Sequence, residues 1–397
     1  MALEIRAPTL DEWPAVCAVD ARSFGVSCTP DDIEDRLKLH DIGRFRVAFD
    51  DGRIVGIAAS YAMDVTLPGG AIVLMGGVTW VSTSVTHRRQ GLMRRVVGAV
   101  HDDIDARGEP VAALYAAEGG IYDHLDYGMA TKVRWTTVDP RVVKLREDVC
   151  VRPNPVRFLE GEEIVPTISA LWDRFRGVRA GETGRDLAVQ QFLYEDRAKA
   201  HGTESGAYYL GHDDGYVAYR AEERWKDGHP NTLVHLIELV ALTPDAHAAL
   251  WQTLLEMDLV GEIRARCIPL DDPLPYLLQN PRALRTRELN DGVWVNVRDI
   301  PASFGARTYR TTDCMVVEVG GTRWAIEGGP DGGTCRAVDS RPDLVTTHGP
   351  FSALLYGGVL PSALVAGRRM TARNADVLAR ADLFFTTSLA PHSQEFF

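Results

Sequence analysis

The sequence predicts a mixed α/β (α+β) protein of more than one domain, on three observations. Alternating apolar patterning from Arg44 to Val85, interrupted by Asp50-Asp51-Gly52-Arg53 and Pro68-Gly69-Gly70, is that of an antiparallel meander. At Thr86 the period changes from two to 3.6, placing Leu92, Val96, Val100 and Ile104 on one face of a helix. The same order of meander, long helix and strand returns mid-chain in AYYLGHDDGYVAYRAEE, TLVHLIELVALTP, DAHAALWQTLLEM and EIRARCIPL.

Taken in order, a short strand at Leu3 to Ile5 leads through Asp11, an expected N-cap, into a helix burying Val16, Val19 and Phe24. Thr29-Pro30-Asp31-Asp32 starts a second helix, with proline at its first position. After the meander comes the long helix, whose outer face carries Arg95, His101, Asp102 and Asp105. A strand at Val111 to Ala116, a short helix around Gly120 to Leu125 and a closing strand near Ala130 to Val138 complete the first block. Arg141 to Pro155 is charged and contains proline, which fits a linker. Helices at Ile164 to Phe175 and Asp186 to Ala198 open the second block. In its repeat, LVALTPDAHAALWQTLL holds the place of WVSTSVTHRRQGLMRRVV without the arginines or the glycine, so the second copy is expected to keep the fold and lose the site. From Gly292 strand-like segments are followed by helices around Phe351 to Tyr356, Pro361 to Ala366 and Asn374 to Ala381. The aromatic ending DLFFTTSLAPHSQEFF is unlike a free tail, which is usually polar.

Composition narrows the function. The 397 residues carry 43 Lys and Arg against 55 Asp and Glu, a formal charge of −12 with no long basic patch, so nucleic acid is not expected as partner. No stretch approaches the roughly 18 apolar residues that would span a bilayer, and the start lacks a secretory pattern, which reads as a soluble cytoplasmic protein. Cys17, Cys28, Cys150, Cys267, Cys314 and Cys335 are scattered and the histidines form no ligand motif, so no metal is expected.

The segment Val81 to Arg94 carries the strongest chemical signal. A strand delivers the chain into a helix whose first turn, begun at Thr86, is expected to hold Arg88, Arg89, Gly91 and Arg94, so backbone N–H groups, helix dipole and cationic side chains converge. Arg89 stands where a capping box would place Glu or Gln, and its charge opposes the dipole by about 0.3 to 1 kcal/mol. A bound pyrophosphate reverses that sign. Gly91 gives up about 1 kcal/mol of helix propensity relative to alanine and clears a path to the backbone. The spacing matches neither a Walker loop nor Gly-x-Gly-x-x-Gly.

Arg88-Arg89-Gln90-Gly91-Leu92-Met93 resembles the acyl-coenzyme A pyrophosphate loop of the GCN5-related N-acetyltransferases (GNAT), with Met93 in place of the small residue usual at the last position. VTHRRQGLMRR followed by VAALYAAEGGIYDHLDYGMAT resembles the Eis (enhanced intracellular survival) subfamily, as do the three blocks and the aromatic C-terminus. The resemblance implies a catalytic GNAT domain at 1–140, a GNAT-like domain without a cofactor site at 141–290, and a sterol-carrier-protein-like domain at 291–397. It implies acetyl-coenzyme A as co-substrate, with Val81, Ser82 and Thr83 along the pantetheine, Arg89, Gln90, Gly91, Leu92, Met93 and Arg94 around the pyrophosphate, and Ala117 and Glu118 beside the cofactor. It also implies Tyr122 as general acid, with Tyr127 as rival, and the α-carboxylate of Phe397 as general base.

A tyrosine near pKa 10 can protonate a leaving thiolate and stay neutral at working pH. An α-carboxyl titrating near 3.5 needs desolvation or a relaying water to take an ammonium proton, which calls for a buried tail; Phe396 and Phe397 could instead pad a subunit contact. Phe24, the loop around Cys28 to Asp32 and Glu395 are candidate substrate lining, and Arg36 stands where the family would place an aromatic wall. The expected activity is acetylation of primary amines on polycationic acceptors, aminoglycosides at several positions by direct transfer in a ternary complex, with protein lysines as the rival. By resemblance the chain assembles as a homohexamer. The other class of reading is an apolar-ligand-binding protein that uses its C-terminal domain, with the first domain as scaffold.

Overall fold

The structure, a computed structural model, describes residues 3–149, 156–185 and 205–397. Cys150 and the expected helix Asp186 to Ala198 lie outside the described residues. Two compact units emerge: residues 1–130, 293–387 and 395–397 form the first, and residues 131–292 and 388–394 the second.

The first unit is built on a seven-stranded sheet. Strands β1 (Glu4–Arg6), β2 (Phe45–Asp50), β3 (Arg53–Thr66) and β4 (Ile72–Thr83) form the antiparallel meander, and β5 (Val111–Tyr115) runs parallel to β4. The β2–β3 turn puts Asp51 and Gly52 at φ 47° and 72°, as a tight hairpin with right-twisted strands requires. The strand Val293–Val297 lies between β5 and β6 (Gly128–Met129), antiparallel to both. Strand β7 (Lys132–Val138), expected to close this sheet, belongs instead to the second. The boundary drawn at residue 140 thus separates β7 from the second sheet, and the one drawn at 290 separates Val293–Val297 from the first. Pairing over such sequence distances leaves no local trace in composition.

Helix α1 (Trp13–Phe24) covers one face of the sheet, and α2 (Pro30–Leu39) packs against α1. Thr29 caps α2 as expected, accepting from the Asp32 N–H at 3.3 Å, whereas Asp11 lies in a 3-10 turn that Thr9 and Glu12 hold by a capping box. Helix α3 (Leu92–Ala106) packs Leu92, Val96, Val100 and Ile104 onto the other face. His101, read as part of its polar face, is buried and shares a 2.8 Å hydrogen bond with the Tyr127 hydroxyl. A short helix α4 (Gly119–Tyr122) follows β5.

A separate five-stranded sheet of the same unit contains Asp313–Val319 and Thr322–Gly329. Its core includes a stacked Tyr309 and Phe384, with ring centres 4.2 Å apart. Arg307, wholly buried, donates to the carbonyls of Leu354, Leu355 and Phe385, and burial draws its pKa down to about 10.

The second unit also rests on a seven-stranded sheet, with β7, β8 (Arg157–Leu159), β9 (Tyr208–His212), β10 (Gly215–Glu222), β13 (Thr232–Ala241), β14 (Val260–Ile268) and β15 (Arg285–Asp291). A small ribbon, β11 (Trp225–Lys226) with β12 (His229–Pro230), stands apart from it. Helix α5 (Ile164–Arg176) and the helix Pro244–Leu255 pack on this sheet. The described part of the expected linker is folded: Val143 is buried in this core and the Arg146 N–H donates to the Leu277 carbonyl at 2.9 Å.

Candidate active site

In the first unit β4 and β5 pair only from Met75–Gly77 to Val111–Ala113. Just beyond, the β3–β4 register slips between Ile57 and Ala59, where Trp80 adopts φ 54°. A bulge bends the strand that carries it. After it β4 runs on through Val81, Ser82 and Thr83 with β3 on one side and, among the described residues, no strand on the other, so the two parallel strands form a fork. The Trp80 indole N–H donates to His40 Nε2 at 3.0 Å, and the Arg36 guanidinium lies 4.9 Å from the ring centre while bonding Asp20 at 3.2 Å. These contacts hold a bulky residue in the left-handed region it rarely visits. The bulge escaped the sequence reading, because nothing local in VTWVST demands a positive φ. Arg36, noted there only as a departure, proves to be the cation that covers Trp80.

The loop after β4 is tethered through Ser84, whose N–H donates to the Val55 carbonyl at 2.9 Å, and through His87 Nε2, 3.1 Å from Asp50 Oδ2. Thr86 does not cap a helix; its hydroxyl bonds the His87 ring at 2.8 Å. Arg89 and Gly91 are left-handed, at φ 62° and 74°, which halts helix formation until Leu92. Gly91 is therefore the N-cap. It is required by its φ, and a Cβ there would meet nothing within 4 Å, so the approach to the backbone is open. No side chain caps α3 and no acidic residue stands in its first turn, which leaves N–H donors unclaimed at the positive end of the dipole. Arg88, Arg89 and Arg95 are exposed and form no ion pair among the described residues. Arg94, also exposed, donates to the His124 carbonyl at 3.5 Å.

The predicted residues are distributed around this fork. Val81 and Thr83 are half-buried, while Ser82 is buried with its hydroxyl lacking a hydrogen-bond partner among the described residues. An orphaned hydroxyl on the unpaired stretch of β4 fits a strand meant to receive amides from outside the chain. Leu92 points into the core, so only its backbone can serve a ligand; Gln90 is exposed and Met93 half-buried. Ala117 and Glu118 are exposed beyond the end of β5. No hydrogen bond or ring contact among the described residues joins Phe24 to these groups; it is 56% exposed at the end of α1.

Tyr122 and Tyr127 separate cleanly. Tyr127 is fully buried and its hydroxyl is bound to His101, with burial pushing its pKa far above the ordinary value. Tyr122 is also raised by burial, but its hydroxyl has no partner among the described residues. At the C-terminus the Phe397 ring lies over Gly77, where an added Cβ would stand 3.0 Å from it, and meets the Tyr115 ring edge-on at 5.6 Å. Phe396 stacks on the other side of Tyr115 at 4.0 Å yet remains 72% exposed, so the tail is seated rather than engulfed as expected. The last residue thus rests at the point where β4 and β5 part; Glu395 is half-buried.

Two segments match an acetyltransferase (GNAT) domain family, residues 4–130 and 181–298. The chain is 30% identical to the N-acetyltransferase Eis of Mycobacterium tuberculosis, with 98% of each chain covered. Its fold superposes on the crystal structure of Eis1 from Mycobacterium abscessus with a TM-score of 0.87, at 26% identity over the full length of both. A GCN5-related N-acetyltransferase from Anabaena variabilis shares the fold at 16% identity, with a TM-score of 0.86 over both whole chains.

Proposed function

This chain belongs to the Eis family of GNAT N-acetyltransferases, and from that premise we propose that it acetylates primary amines of polycationic acceptors, aminoglycosides foremost and at several positions. The supporting observation is the uncapped start of α3, flanked by unpaired arginines and reached along a strand that has left its neighbour. An anion is the natural occupant of such a spot. Acetyl-coenzyme A, as co-substrate, supplies the activated acyl group. Arg88, Arg89 and Arg94 with the backbone of Gly91 to Met93 hold its pyrophosphate, and Val81 to Thr83 with Ala117 and Glu118 line its arm.

The chain's own groups then manage two protons. Tyr122, whose pKa is raised by burial, keeps its proton at working pH and delivers it to the departing thiolate. The Phe397 carboxylate takes a proton from the acceptor's ammonium, which frees the amine that attacks the thioester carbonyl. Both substrates sit together in a ternary complex, and the domain roles follow: catalysis in the N-terminal GNAT part of the first unit, a sterol-carrier-like part of the same unit that ends at the fork, and a GNAT-like second unit without a cofactor site. The negative net charge favours a cationic acceptor through steering. A homohexamer in the cytoplasm completes the reading. The test is thiol release from acetyl-coenzyme A by untagged protein across aminoglycosides, polyamines and lysine peptides. More than one equivalent released per aminoglycoside supports the proposal, and release with lysine peptides alone replaces it with protein acetylation.

A further inference from the structure

The second unit contains a fork of its own. Strands β13 and β14 pair in parallel from Thr232–Leu236 to Val260–Ala265 and then part, and each carries an irregularity just beyond: β13 at Ile237 against β10, and β14 near Cys267, which takes φ 53°. Into this gap runs a segment of the same unit, Ser388–Gln394. Its Gln394 amide donates to the Ile237 carbonyl at 3.2 Å and its His392 Nε2 donates to the Cys267 carbonyl at 2.7 Å, one bond to each diverging strand. One carbonyl on each parting strand thus accepts a hydrogen bond from a side chain of the tail.

The plug is held by a buried hydrogen-bonded pair. His392 Nδ1 lies 2.8 Å from Glu182 Oε1, with relative side-chain exposures of 2% and 0%, and the other Glu182 oxygen accepts from the Gln394 N–H at 3.0 Å. Nε2 faces a carbonyl, which only accepts, so the ring presents an N–H there. Upstream, the Arg179 guanidinium bonds both Asp271 and the Ala390 carbonyl, and the Ala390 N–H returns to Asp271 at 2.9 Å. Gly181, at φ 92°, leaves the room the tail needs: a Cβ there would come within 2.6 Å of the His392 carbonyl oxygen.

Three residues after this anchor the chain ends at Phe397. We propose that the fork of the second unit is a receptor for the chain's own tail, and that Glu182 and His392 are positioning residues which fix where the C-terminal carboxylate is delivered. This assigns a task to the copy that has no cofactor loop. The inference rests on the role proposed above for Phe397.

The test uses the full untagged chain carrying Glu182→Gln or His392→Gln. Removing one partner of a buried hydrogen bond, which leaves the other unsatisfied, should raise amide exchange of residues 388–394, and release of the tail by carboxypeptidase, by about 10-fold or more. Turnover should fall by a similar factor while coenzyme A affinity stays within about 2-fold. Should either variant fail to fold, Gln394→Ala, which removes only the side-chain bond to Ile237, is read the same way with a smaller effect. An unchanged tail exchange rate overturns the receptor. A freed tail with full turnover overturns the positioning role, and a C-terminal extension separates the causes. If extension abolishes turnover and tail release does not, only positioning fails; if neither matters, the role of Phe397 has failed with it.

Discussion

In the first unit a parallel strand pair parts at Gly77 and Ala113, and the helix that follows begins at Gly91 with no side-chain cap. In the second a parallel pair parts at Leu236 and Ala265, and the corresponding helix begins with the Thr243 side chain accepting from the Ala246 N–H at 3.2 Å, Pro244 at its first position and Asp245 in its first turn. Each fork creates the same demand for hydrogen-bond partners. The second meets it from within, by a threonine cap, an acidic residue on the dipole and the tail bonds to Ile237 and Cys267. The first leaves a strand edge, an orphaned Ser82 hydroxyl and unpaired arginines. The contrast is between a fork whose donors and acceptors stay open, as the proposed ligand site requires, and a fork whose groups the chain satisfies itself.

The largest effect should come from Tyr122→Phe. Loss of the proton donor should lower kcat by about 100-fold or more, with coenzyme A affinity nearly unchanged; Tyr127→Phe, removing a hydroxyl already bound to His101, should lower stability and spare kcat. Thiol-release kinetics on both variants decides, and a reversed pattern would return the role to Tyr127.

Next comes a pH effect confined to the first unit. Burial, with the Arg298 charge, lowers the His101 pKa from 6.5 to about 4. The unfolded chain therefore takes up this proton near pH 6.5 while the folded chain refuses it until about pH 4. Stability present above pH 6.5 is lost as the pH falls between the two, by roughly 3 kcal/mol at most. Denaturant unfolding of the wild type and of His101→Gln from pH 7.5 to 4.5 should show the variant with the flatter slope; equal slopes would count against this account.

Arg89→Glu should weaken coenzyme A by about 10- to 30-fold through loss of one charged contact while leaving the melting temperature near its original value, measured by calorimetry. The smallest effect sharpens the comparison most. Thr243→Ala should cost the second unit about 1 kcal/mol of stability and should not touch coenzyme affinity. A change in affinity there would mean that the second helix start is also a ligand site.

Features set by neighbouring residues were legible in the sequence. The Asp51-Gly52 hairpin, the Thr29 cap with Pro30, the buried stripe of α3 and the Arg-Arg-Gln-Gly loop all follow from residues a few positions apart. What distant pairing decides was not legible. The pairing of Val293–Val297 with β5, the transfer of β7, the burial of His101 by a tyrosine 26 positions on and the His392–Glu182 pair each depend on a partner that local pattern does not name. Gly91 was visible because glycine advertises a backbone need, and Trp80 was hidden because tryptophan does not.

The most direct measurement is the stoichiometry of coenzyme A binding by titration calorimetry on the full chain. The account predicts one site per chain, weakened by Arg89→Glu and indifferent to Thr243→Ala. Two sites per chain, or binding that survives Arg89→Glu unchanged, would contradict it.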